Sequence, residues 1–188
     1  MRTKPLSAGA AARLLEALPP RLRERLRGNG GPCQQSLWAY SLLRHAFQES
    51  YGAEMPEISW LPEGKPVFLE RAGIHFNISH TEGAVLVGLS PEEIGVDIEK
   101  DREAPPRLQK LLQPGGEPFF SAWVCWEACA KCRGQGILSL LREGTLPDPM
   151  GYQSLEIFPG YWAGMAVLGE VSQPLIWRVE PDTLFDEA

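Results

Sequence analysis

Four groups of residues carry the means to do chemistry. In "IGVDIE" (94–99), a strand would turn Asp97 and Glu99 to one face and Ile94, Val96 and Ile98 to the other, with Gly95 keeping the acidic face open. Two carboxylates about 6–7 Å apart along a strand can jointly hold a hard cation. Asp is disfavoured in strands, so its presence asks for a reason. A solvent-facing edge strand with two incidental acids would read the same, and on the pair alone that is the stronger reading. In "SAWVCWEACAKCRGQG" (121–136), helical spacing puts Trp123, Glu127 and Lys131 on one stripe and Cys125, Cys129 and Cys132 on the opposite one. A Glu-to-Lys pair one turn apart is also an ordinary surface support worth about 0.2–0.5 kcal/mol.

The cysteines are spaced C-x3-C-x2-C, which can cradle an iron–sulfur cluster. Cluster motifs usually sit in loops, where thiolates converge; this one lies in an Ala-rich helical run. Its spacing is similar to that of the radical S-adenosylmethionine enzymes, but those are larger barrels with the motif near their start. Packing as small hydrophobes is the favoured alternative. The last group is "FNISHTEG" (76–83), which follows "EGKP" (63–66). Asn77, Ser79 and His80 at a strand end, with Lys65 in a turn, can collect a phosphate. A turn-stabilising polar cluster explains each of them equally well.

These residues need elements to position them. Residues 6 to 27 read as helix, broken at Pro19–Pro20 and stopped by Gly28. "GNGGP" (28–32) reads as a loop, and 33 to 50 as an amphipathic helix ended by Gly52. "ISWLPEGKPVFLE" (58–70) reads as two extended pieces about a turn, and "IHFNIS" (74–79) alternates. "AVLVGL" (84–89) and "IGVDIE" (94–99) should pair as a hairpin. Residues 100 to 118 form a Pro/Gly-punctuated connector, and 119 to 133 a second strong helix. "GILSLLREGTLP" should start another strand region, with "QSLEIFPG", "YWAGMAVLG" and "PLIWRVE" closing an antiparallel sheet. The fold class expected is α+β: two pseudo-symmetric lobes, 1–100 and 101–188, each a helix on a small antiparallel sheet.

Composition sets the class. The 188 residues are 44% hydrophobic and 22% charged, an ordinary globular profile, and no apolar run is long enough for a membrane span. The net charge of −6 argues against generic nucleic-acid binding. Residues 1 to 27 nevertheless hold seven basic residues against two acidic ones, a patch able to take a polyanionic small molecule or simply a solvated helix face. The chain begins without a recognisable signal peptide, and three of its four cysteines fall within eight residues, so reduced thiols and a cytoplasmic location are expected.

The pieces occur together in an order that resembles the 4′-phosphopantetheinyl transferases of the surfactin-synthetase-activating type. The matching segments are "GKP" (64–66), "FNISHTEG" (76–83), "GVDIEK" (95–100) and "FFSAWVCWEACAKCRGQGI" (119–137). "LLRHAF" around Arg44 and "GYWAGMAVLG" (160–169) add to them. The resemblance implies a monomeric enzyme with coenzyme A as substrate between two lobes. It implies Mg²⁺ (or Mn²⁺) on Asp97, Glu99 and Glu127, and a grip by Arg44, Lys65, Ser79 and His80 on the adenosine 3′-phosphate end. Lys131 would contact the pyrophosphate, Glu127 would ligate metal or accept a proton, and Arg21 and Arg25 would add to the phosphate site. The acceptor would be a serine of an acyl or peptidyl carrier protein.

Three departures stand out. Trp126 precedes Glu127 where the family has Lys; only 23 residues separate Glu99 from Trp123, fewer than in relatives; and the start has no obvious opening strand. They leave room for a non-catalytic coenzyme A- or partner-binding member of the same fold.

Overall fold

The computed structural model describes residues 1–28, 33–70, 73–112, 116–144, 146, 150–170 and 173–186. Most of the expected "GNGGP" loop and part of the connector (113–115) lie outside them. Helices α1 (Ala8–Glu16) and α2 (Pro20–Gly28) meet at the Pro19–Pro20 break. The Ser7 hydroxyl caps α1 by accepting from the Ala10 amide. Helix α3 (Gln34–Tyr51) buries Leu37, Trp38, Leu42, Leu43 and Phe47 and stops at Gly52, whose φ of 60° suits glycine. The strands β1 (Ile58–Trp60) and β2 (Pro66–Phe68) pair around the Pro-Glu-Gly turn as expected.

Strands β3 (His75–Thr81) and β4 (Ala84–Ser90) form an antiparallel hairpin. The expected pairing of 84–89 with 94–99 is not formed. Instead β5 (Ile94–Lys100) pairs with β7 (Tyr161–Leu168), which also pairs with β6 (Met150–Leu155), in the order β5-β7-β6. Two features redirect β5. Its other edge is satisfied by side chains of β3: the Val96, Ile98 and Lys100 amides donate to Asn77 Oδ1, Ser79 Oγ and Thr81 Oγ1 at 2.9, 3.3 and 3.4 Å. Its apolar face meets β4 at Gly88, where a Cβ would lie 2.7 Å from Val96. β4 therefore packs against β5 rather than extending its sheet.

Helices α4 (Pro106–Leu111) and α5 (Phe119–Cys132) follow. Helix α5 lies directly on the sheet because two glycines let it. A Cβ at Gly95 would sit 2.0 Å from the Ala128 carbonyl oxygen, and one at Gly164 would sit 2.7 Å from that of Val124. Gly95 thus does not keep the Asp97–Glu99 face open to solvent, as the alternation suggests; it admits helix backbone. Residues 137 to 143, expected to begin a strand, form α6 (Ile137–Glu143) between Gly136 and Gly144, because Ile137, Leu140 and Leu141 share a helical face and Leu140 is fully buried. Residues 174–180 form no strand either. Leu175, Ile176 and Trp177 face outward, and Leu175 is 80% exposed.

The chain ends in α7 (Thr183–Asp186), which returns to the first helices: Phe185 meets Trp38 edge-on at 5.9 Å, and its carbonyl accepts from Arg13 at 2.7 Å. The first residues also bond across the free edge of β4, with the Thr3 amide donating to the Gly83 carbonyl at 2.9 Å and the Val85 amide to the Met1 carbonyl at 3.0 Å. β5 precedes the expected lobe boundary yet supplies the sheet under α5. Helix segments on small antiparallel sheets are what the sequence reading anticipated. Among the described residues no helix is long and apolar enough to cross a membrane.

Candidate active site

Asp97, in the middle of β5, points at α5 and is 5% exposed. Its Oδ1 accepts from the Lys131 ammonium at 2.6 Å and from the Ser79 hydroxyl at 2.9 Å. Lys131 also donates to Ser79 Oγ at 3.0 Å, closing a three-membered group from β3, β5 and α5. Asp97 Oδ2 is buried with no hydrogen-bond partner among the described residues. A buried lone carboxylate oxygen is costly unless something electropositive reaches it.

Glu127 stands one helical turn before Lys131. Burial, then the charge of Asp97, push its carboxyl up from the ordinary range to about 7; Lys131 pulls it down and Glu99 raises it further. Three acids therefore share one field. Glu99 Oε2 accepts from Arg102 Nη1 at 2.7 Å, and the Arg102 guanidinium lies over the Phe120 ring at 4.7 Å. His80, at the end of β3, is exposed, and partial desolvation and then the charge of Lys131 hold its imidazole below the usual range.

The donor chemistry of Asp97, Glu99 and Glu127 suits a hard divalent cation, and the orphan Oδ2 of Asp97 is the open position for it. The side chains are not drawn together around a common point: among the described residues no group of three or more His, Cys, Asp or Glu side chains gathers to hold a metal ion. Lys131 holds the other oxygen of Asp97, and Arg102 holds one oxygen of Glu99.

Lys65 and Arg44 stand elsewhere. The Lys65 ammonium is 2.5 Å from Glu93 Oε2 and donates to the Cys132 carbonyl at 3.1 Å, tying the β1–β2 turn to the end of α5. Glu93 Oε1 also lies 3.0 Å from His75 Nδ1. Arg44 lines a recess of about 400 Å³ with Pro19, Pro20, Gln48, Glu54 and Glu57, none of them in the Asp97 group. The Arg21 amide donates to Glu57, and Arg25 stacks on Trp60 at 4.1 Å. A second cavity, of about 440 Å³, lies on the apolar face of β5 among Leu86, Ile94, Val96 and Met165, remote from the acids.

The cysteines line the packed side of α5. Cys125, Cys129 and Cys132 are free and buried, and burial pushes their thiols up to about 11, 12 and 11. Protonated thiols in an apolar seam with Leu140 and Ala166 are poor cluster ligands. Trp126 packs in the same apolar surroundings, against clusters that contain Leu140 and Phe120. Sequence reasoning missed Arg102 and the Asn77–Ser79–Thr81 seam. Arg102 lay in a connector read only for its prolines; its spacing of three from Glu99 was the available signal.

Known proteins bear on this arrangement. A 4′-phosphopantetheinyl transferase of Bacillus subtilis is 33% identical over 177 residues, covering 84% of this chain and 79% of that protein. The 4′-phosphopantetheinyl transferase Sfp of Bacillus subtilis strain 168 is 25% identical over 191 residues, with 84% and 85% covered. The 4′-phosphopantetheinyl transferase psf-1 of Bacillus pumilus is 30% identical over 120 residues, where the match spans 55% of this chain and about half (52%) of that relative. No protein-family model matches the chain.

Proposed function

The chain belongs to the 4′-phosphopantetheinyl transferases, and from that premise we propose that it moves the phosphopantetheinyl group of coenzyme A to a serine of an acyl or peptidyl carrier protein. The observation that carries this reading is the Asp97–Lys131–Glu127 group where β5 meets α5. In the reaction the serine oxygen bonds to the β-phosphorus, the bond from that phosphorus to the bridging oxygen breaks, and 3′,5′-ADP leaves. Glu127, beside Lys131 and able to take a proton near neutrality, receives the serine proton directly or through a water. Lys131 turns its ammonium to the charge growing on the diphosphate oxygens.

Asp97, Glu99 and Glu127 are the residues that would hold Mg²⁺, which when bound supplies charge neutralisation of the diphosphate. Ser79 aligns Asp97 and Lys131 through the bonds it shares with both. We keep Arg44, Lys65 and His80 as proposed contacts for the 3′-phosphate end; Lys65 would have to leave Glu93 to serve. We further propose two lobes meeting near residue 100, a monomer, and a cytoplasmic setting. The test is direct: incubate the protein with coenzyme A, Mg²⁺ and several apo-carrier proteins and weigh the carriers. A phosphopantetheine adduct is expected. Coenzyme A binding without an adduct on any carrier would instead favour a non-catalytic binder.

A further inference from the structure

The carboxylates of the site face two cations, and they are held differently. Lys131 comes from α5, is 30% exposed, and spends its ammonium on Asp97 and Ser79. Arg102 comes from the connector after β5, and its side chain is 49% exposed. Both of its hydrogen bonds leave from one nitrogen: Nη1 donates to Glu99 Oε2 at 2.7 Å and to the Lys100 carbonyl at 3.1 Å. The Phe120 ring supports the face of the guanidinium at 4.7 Å. The fork is thus gripped along one edge and one face, and its Nε and Nη2 donors carry no partner among the described residues.

A guanidinium fixed in this way is prepared for an oxyanion. Its fork matches two phosphate oxygens bidentately, and a side chain already ordered loses little entropy on binding. Bonding to Glu99 sets its distance from the Asp97–Lys131–Glu127 group, where the proposed reaction places the diphosphate. Helix α5 supplies only Lys131 on that side, since Trp126, next to Glu127, packs into apolar clusters.

We propose that Arg102 is a substrate-binding residue that takes the diphosphate of coenzyme A on its open Nε–Nη2 edge while Nη1 stays on Glu99. This rests on the function proposed above. A charge-assisted bidentate contact of this kind predicts that Arg102→Gln weakens coenzyme A binding about 10- to 100-fold. Most of the loss should appear in KM rather than kcat. Arg102→Lys, which keeps the charge without the fork, should recover only part of it. Arg107→Gln on α4, a charge change on the same connector, should leave binding where it is.

The experiment is calorimetry of wild type, Arg102→Gln, Arg102→Lys and Arg107→Gln with coenzyme A and with dephospho-coenzyme A, thermal melts establishing that each folds. The expected result is the same fold loss in Arg102→Gln for both ligands, because both carry the diphosphate. A loss seen only with coenzyme A would move the contact to the 3′-phosphate and overturn the assignment. Equal binding by wild type and Arg102→Gln would reduce Arg102 to a surface partner of Glu99 while leaving the function proposal standing. A wild-type protein that binds neither ligand would remove both.

Discussion

On one side of α5, Glu127 and Lys131 stand over Asp97, ringed by partners that are themselves charged. On the other, Cys125, Cys129 and Cys132 are buried, Cys129 and Cys132 against Leu140 and Ala166, with the Cys132 thiol donating to the Glu93 carbonyl at 3.1 Å. The same fourteen-residue helix meets both environments. Burial lifts the pKa of its acid and of its thiols alike, but the consequences differ. The thiols rise from an already neutral state and stay inert at ordinary pH. Glu127 is lifted only to about 7, into the range where a carboxyl can both hold and release a proton. The same burial poises a carboxyl, raised from 4.5 toward neutrality, and silences a thiol, raised from 9 away from it.

The sharpest break of that contrast comes from the charged side. Asp97→Ala or Glu127→Ala should cut carrier modification about 10²- to 10⁴-fold, the usual weight of a general base or an electrostatic stabiliser, without unfolding the protein. Rates of adduct formation by mass spectrometry, paired with circular dichroism, measure it. Activity within tenfold of wild type for either variant would remove the catalytic side from the comparison.

The thiol side should break in the opposite way. Cys129 is fully buried and has only apolar surroundings to offer a hydroxyl. Cys129→Ser should therefore cost about 1–3 kcal/mol of stability, read from urea unfolding, while the folded fraction transfers at the wild-type rate. A stable but inactive Cys129→Ser would mean that the thiols serve the reaction after all.

How much of this was legible in the sequence depends on the distance over which the information acts. Period-two alternation correctly put Asp97 and Glu99 on one face, and helical spacing correctly separated the Glu127–Lys131 stripe from the cysteines. Local signals also found the turn between β1 and β2. The partner of β5 was not legible, because it is decided by contacts far along the chain: Gly164 and Gly95 admitting α5, and Asn77, Ser79 and Thr81 capping the amides of β5. Ser79 was read as a phosphate ligand; in the structure it braces Asp97. "PLIWRVE" alternates like a strand, yet strand propensity has no force without an edge to pair with. The helical face of Ile137, Leu140 and Leu141 was the available signal for α6.

The smallest effect tests the comparison most finely, in the ligand-free protein. Glu127 has a folded pKa of about 7 against an ordinary 4.5. Between those values the folded state holds a proton that the unfolded state has released, so stability falls as pH rises from about 4.5 to 7. Because the group is partly solvated, the loss should be on the order of 1–2 kcal/mol. The buried thiols, raised from 9 to about 11–12, cannot titrate in this window and add nothing to the slope. Urea unfolding at pH 5 and pH 8 should thus show wild type losing stability by that amount relative to Glu127→Gln, a difference that cancels the opposite contributions of the Met1 amino group and His80, which burial lowers, while Cys129→Ser keeps the wild-type slope. Parallel slopes in wild type and Glu127→Gln would mean that Glu127 is solvated like any surface acid, and the poise attributed to its side of α5 would be gone.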